Sequence, residues 1–216
     1  MFIGHYGVSF AAKRYAPETS LGVWFFAVQL LDVLFAIFVL MGVEKLRIVP
    51  GFTAYNPYDL YYMPYTHGLA GSLCWAVAAG LVAYVSGARR ASWLIGAAVF
   101  SHFVLDLPMH TPDMPVLGND SMKLGLGLWR HRNLSLLAEL AVLGVGWWIW
   151  RGSSTIVGYR RTLANVFIVL LVLITLATPF LPAPRDGNDF ALQALAGYFI
   201  LAAIAGWLDR PSKAAS

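Results

Sequence analysis

Charge is what this chain has least of. Asp, Glu, Lys and Arg make up 12% of its 216 residues, 59% are hydrophobic, and mean hydropathy is +0.66. A soluble domain carries about 25% charged residues, and half that density cannot cover a folded sphere with water-facing side chains. The composition therefore excludes a soluble globular domain and also a disordered chain. Cysteine is nearly absent: Cys74 stands alone inside an apolar run, which rules out an intrachain disulfide and a CxxC metal site. A long polar insertion, an internal repeat and a low-complexity segment are missing too, so residues 1–216 read as one domain. The N-terminal stretch has no basic region ahead of it and no small-residue cleavage site, so no removable signal peptide is expected. Basic residues exceed acidic ones, 15 to 11. They are scattered in ones, twos and threes with no basic stripe, which argues against nucleic acid as a partner and for topology signalling.

What remains is apolar sequence in long runs. About 20 predominantly apolar residues cross the hydrocarbon core as a helix. Six stretches approach that length: Leu21 to Val43, Tyr65 to Val85, Ala91 to Pro108, Leu134 to Trp150, Leu163 to Pro182 and Phe190 to Leu208. The expected fold is an all-α integral membrane bundle of six transmembrane helices. Residues up to about 150 carry the polar groups, and 151–216 supply two hydrophobic helices. Lys13, Arg14, Arg89, Arg90, Arg151, Arg160, Arg161, Arg210 and Lys213 fall on one side, accompanied only by Glu18 and Asp209. The other side has six basic residues balanced by six acids. Positive residues favour the cytoplasm, which places both termini there. The loop from Lys45 to Tyr65 is rich in tyrosine and reads as an interfacial aromatic belt.

Residues 2–12 are apolar but too short to span. They lie flat on the interface as an amphipathic anchor, or they enter the bundle as a half-helix. In the second case His5 sits about 12 Å deep, and Asp32, eleven residues into the first span, lies at roughly 17 Å.

Ionisable residues inside a membrane are costly, about 2.5–3.5 kcal/mol for a carboxylate at the centre, and are kept where they are paired, hydrated or used. This chain places Asp32 in the first span, His67 at the start of the second, His102 and Asp106 in the third, His110 just beyond it and Glu139 in the fourth. The last two spans carry none and read as plain hydrophobic walls. His102 and Asp106 are four apart, on one helical face. His110 continues that face only if the helix survives Pro108. Imidazole and carboxylate without thiolate suit a divalent metal ion such as zinc or manganese. His67, His102 and Asp106 are the leading ligands, with His5 and His110 as further ones. Asp32 or Glu139 is a ligand or the general base. The same residues also admit a structural reading, in which each His–Asp pair merely neutralises itself.

The strings FIGHYGVSFAAKR at 2–14, QLLD at 29–32, YTHG at 65–68, SHFVLDLPMHTPDMP at 101–115, and GLGLW and LLAEL between 125 and 140 together resemble one bacterial family. These are the membrane-bound metal-dependent hydrolases, small polytopic inner-membrane proteins also described as permease-like. The likeness covers about the first 145 residues. It implies an inner-membrane location, a metal site drawn from His5, Asp32, His67, His102, Asp106 and His110, and a hydrolytic reaction; the place of the cluster within the spans, in contact with membrane lipids, points to a lipid-like or phosphoester substrate. The alternative is a non-catalytic protein: a transporter, or an accessory subunit of a homo-oligomer or larger membrane complex, with the cluster serving structure or ion and proton passage.

Overall fold

The computed structural model describes residues 1–154 and 156–209; Arg210 and Lys213, counted above as basic residues of one side, lie outside the described residues. Eight α-helices form the bundle: α1 (His5–Tyr15), α2 (Leu21–Val28), α3 (Leu30–Leu40), α4 (Leu69–Val85), α5 (Ser92–Met109), α6 (Arg132–Ser153), α7 (Gly158–Ala177) and α8 (Gly187–Leu208). The helices α5, α6 and α8 are long and apolar enough to cross a membrane, as is α7 with the short turn that extends it to Phe180. The bent pair of α2 and α3 makes a fifth span if it crosses as a unit. These helices turn apolar side chains outward: Val166, Val169, Leu173 and Ile200 are all exposed. That is the build of an integral membrane protein.

The second expected span, Tyr65 to Val85, yields a helix shorter than its apolar run. Residues 65–68 form a turn, and α4 begins only at Leu69, which leaves 17 residues. The first expected span is broken. At Gln29 the backbone leaves the helical region (φ −100°, ψ 5°), and α2 and α3 meet at a 55° bend. Ser20 caps α2 by accepting from the Gly22 amide at 3.2 Å, the N-cap role in which serine is favoured.

Residues 2–12 enter the bundle rather than lying on its surface. His5, Tyr6, Gly7, Ser9, Phe10 and Ala12 of α1 are buried, chiefly against α6. The crossing depends on two glycines: a Cβ on Gly7 would collide with the carbonyl of Val142, and one on Gly146 with the carbonyl of Gly7. Small residues are what allow membrane helices to approach this closely.

Two antiparallel hairpins, not expected from the hydropathy, cap the bundle. Strand β1 (Lys45–Ile48) pairs with β2 (Tyr58–Tyr62) in the register Lys45↔Tyr62, Arg47↔Asp59 and Ile48↔Tyr58, with a bulge between Lys45 and Arg47. Strand β3 (Met114–Pro115) pairs with β4 (Lys123–Leu124). The tyrosine-rich loop is thus partly a hairpin whose tip folds inward, where Tyr55 is buried.

Candidate metal centre

The half-helix α1, the broken pair α2–α3, the turn before α4, and α5 converge at one point inside the bundle. They bring together His5, Asp32, His67, His102, Asp106 and His110. The four histidine side chains and Asp106 are at most 4% exposed, whereas the Asp32 side chain is 16% exposed and forms the open edge. Two sets of three ligand atoms lie mutually within 4.8 Å: His5, His102 and Asp106, and Asp32, His67 and His102. His110 belongs to neither set. It reaches Asp106 Oδ2 at 3.5 Å from the end of α5, because the helix does continue through Pro108 to Met109 and the His110 amide still bonds the Asp106 carbonyl.

Three of the histidines have their ring protons assigned by their neighbours. His102 Nδ1 lies 2.7 Å from the carbonyl oxygen of Val28, an acceptor only, so Nδ1 carries the proton. His67 Nδ1 lies 2.9 Å from Thr66 Oγ1. That hydroxyl already donates to Glu44 Oε2 at 2.6 Å, so His67 Nδ1 must donate to it. His110 Nδ1 faces Asp113 Oδ1 at 2.9 Å while Thr111 donates to the other oxygen. When the ring is neutral, Nε2 presents a lone pair; when it is protonated, Nε2 donates to the carboxylate it faces, as in the 3.2 Å contact of His67 with Asp32. Nε2 of His67 and of His102 faces both Asp32 and Asp106, and Nε2 of His110 faces Asp106.

The distances define the space between them. His102 Nε2 stands 3.1 Å from Asp106 Oδ2 and 3.5 Å from Asp32 Oδ1, and His67 Nε2 stands 3.2 Å from Asp32 Oδ1 and 3.8 Å from Asp106 Oδ2. Contacts this close are held by a proton on Nε2, as in the His67–Asp32 hydrogen bond, or by a cation among the ligand atoms. Around an ion with bonds near 2.1 Å, neighbouring ligand atoms are about 3.0–3.4 Å apart, which is close to the spacing found. An imidazole whose other nitrogen donates to a carbonyl or carboxylate is also the usual outer support of a metal-ligating histidine. The residues fit a divalent ion.

His5 stands differently. Its ring is fully buried and stacks on His102 at 3.8 Å between centroids. Among the described residues neither of its nitrogens makes a well-aligned hydrogen bond, but Nε2 lies within ion-pair reach of Asp106 Oδ1 at 3.3 Å. That same oxygen is ion-paired with the α-amino group of Met1.

Glu139 is placed to one side. Its carboxylate accepts from the amides of Phe2 and Gly4 and from the Tyr55 hydroxyl, and it belongs to neither ligand set.

Several supporting groups gave no sequence signal. Tyr198 of α8 donates to Asp32 Oδ2 at 2.9 Å, so α8 is not a plain hydrophobic wall; a lone phenol in an apolar helix was the only hint. Glu44 closes the relay behind His67, accepting from the Tyr65 and Thr66 amides as well as the Thr66 hydroxyl. Burial pushes its carboxyl above the usual carboxylate range, and these hydrogen bonds pull the other way. Trp129 covers the His110 ring at 4.1 Å. The chain matches no protein-family profile, no curated protein and no solved structure.

Proposed function

We propose that this chain is a metal-dependent hydrolase of the bacterial inner membrane, with both termini cytoplasmic. One observation carries the reading: His67 and His102, each with Nδ1 held by an acceptor behind the ring, turn Nε2 toward the carboxylates of Asp32 and Asp106 within two overlapping sets of closely spaced ligand atoms. His67, His102, Asp32 and Asp106 would hold the ion, with His5 and His110 at its margins, and the nitrogen–oxygen donor set without thiolate favours zinc or manganese. When bound, such an ion supplies Lewis acidity and lowers the pKa of water toward neutrality.

The chain's own residues do the rest. Asp32, on the open edge and held by Tyr198, is placed to take a proton from an attacking water. Asp106 and the buried imidazoles exclude bulk solvent from the other side. Because the edge lies within an apolar bundle, the reading favours an amphiphilic substrate with a phosphoester or carboxylic ester. The sidedness is supported by a cavity of about 930 Å³ where Lys13, Arg14, Arg160 and Asp209 gather at one end of the bundle.

Metal analysis of protein purified in detergent tests the reading. Stoichiometric zinc or manganese is expected in the wild type, with loss in the folded variant H102A/D106A. A wild type that binds neither ion when either is supplied in excess overturns the hydrolase and leaves a non-catalytic membrane protein.

A further inference from the structure

The half-helix α1 starts inside the bundle, where Ile3, Gly4 and His5 are buried. Every helix begins with unpaired N–H groups, and inside an apolar environment each one left unsatisfied costs several kcal/mol. Its N-cap, Gly4, has no side chain to serve them. The Tyr6 and Gly7 amides bond the carbonyls of Ile3 and Gly4, while the Gly4 amide, and that of Phe2 just before the helix, are met by a carboxylate from another helix. Glu139 Oε2 accepts from Gly4 N at 2.8 Å, and Oε1 accepts from Phe2 N at 3.0 Å and from Tyr55 Oη at 3.1 Å. The Phe2 amide also reaches Oε2 at 3.2 Å. On the opposite edge of the same segment, Gln29 Nε2 donates to the Phe2 carbonyl at 3.1 Å. Gly4 is pressed so close that a Cβ there would lie 3.2 Å from the Glu139 Cα. The next residue is His5, buried, stacked on His102 and, among the described residues, without a well-aligned hydrogen bond on either nitrogen.

Among the described residues the His5 ring meets its stack on His102 and the 3.3 Å approach of Nε2 to Asp106 Oδ1, and both contacts depend on where the backbone that carries it is held. That backbone is clamped by Glu139. We propose that Glu139 is a positioning residue: its carboxylate holds residues 2–4 and thereby fixes His5 against His102 and Asp106, without itself binding the ion. The negative charge suits the task, since a carboxylate is stabilised at a helix N-terminus. Its oxygens are already engaged by three donors, so little acceptor capacity remains for an ion. Tyr55 extends the device to the hairpin: the tip of the loop between β1 and β2 closes on the same carboxylate, and the Tyr55 amide bonds the carbonyl of Trp129.

The inference rests on the metal reading for its function but is tested separately from it. Cobalt(II) titration of the detergent-purified full chain gives both an affinity and a visible spectrum. In E139Q the affinity is expected to fall about 10–100-fold, the range for loss of an outer-shell partner, and the spectrum to move to that of H5A. Adding E139Q to H5A is expected to change nothing more, because the two substitutions act through one ring. Equal losses in both backgrounds would make Glu139 a ligand in its own right and overturn the proposal. A lower Tm with an unchanged cobalt spectrum would reduce it to a purely structural contact and overturn it too. If E139Q does not fold, Y55F removes one donor; it is expected to shift the spectrum in the same direction in the wild type and not in H5A, and no shift refutes the idea. Should the wild type bind no cobalt, the metal reading fails, and positioning is then read from histidine ring resonances of the ¹⁵N-labelled protein. E139Q is expected to move those of His5 and His102 and to spare the exposed His131; unmoved His5 signals overturn it.

Discussion

Thr66 is the most exposing residue to change, because a single hydroxyl decides which nitrogen of His67 carries the proton. The substitution T66V keeps the shape of the side chain and removes the hydroxyl. Glu44 then loses its 2.6 Å donor and His67 Nδ1 loses its 2.9 Å acceptor. The ring is free to move its proton to Nε2, where the Asp32 carboxylate at 3.2 Å would accept it, and a protonated Nε2 cannot ligate. Loss of an outer-shell partner lowers metal affinity about 10–100-fold, which corresponds to roughly 1.4–2.7 kcal/mol. Stability falls as well, by about 1.5–3 kcal/mol for a hydrogen bond to a charged group. Zinc competition against a chromophoric chelator measures the first effect, and ¹⁵N resonances of the His67 ring in the metal-free protein report the tautomer directly. T66S, which restores the hydroxyl, is expected to recover both. If T66V retains wild-type affinity, or if its His67 stays protonated at Nδ1, the account of converging lone pairs is wrong.

Other substitutions probe independent parts of the structure. G146A adds a methyl where the Gly7 carbonyl already sits, and overpacking of this kind costs about 1–3 kcal/mol or more; a Tm in detergent equal to wild type would mean that α1 does not cross α6 there. Y198F removes the only hydroxyl that α8 offers to Asp32 among the described residues; metal affinity is expected to drop about 10-fold or more with the fold intact, and no drop would detach α8 from the site. In a C74S background, single cysteines at Gly51 and Asn119 are expected to react with an impermeant maleimide on intact cells. Labelling at both only after lysis reverses the assigned sidedness.

The parts of the site that sequence can show are those with a local period or a conspicuous cost. His102, Asp106 and His110 share a face because their spacing is four, and Asp32 stands out because it interrupts apolar sequence. The pairings that organise these residues carry no such mark. Glu139 meets Phe2 and Gly4 across more than 130 residues, and Tyr198 meets Asp32 across 166. Neither contact follows from helical spacing. The hairpin of β1 and β2 is hidden for a related reason: a tyrosine-rich run beside the membrane suits a headgroup belt and a short strand equally, and only the partner strand decides. The start of α4 was misplaced because hydropathy does not register that residues 65–68 are spent on a turn, in which Thr66 and His67 face Glu44 and Asp32.

The bend at Gln29 has a consequence for how this protein can change over time. In an unbroken span the carbonyl of Val28 would be consumed by the amide one turn ahead; at the bend it is available, and His102 takes it. The kink is therefore a component of the site, though it contributes no side chain to the His/Asp cluster. Drift that straightens the helix would silence His102 without altering any of the polar residues. Two lineages could keep the same six ionisable residues and differ only in the apolar positions around 29, one with a competent centre and one without. The inventory of ligands alone would not tell them apart; the shape of the first span would.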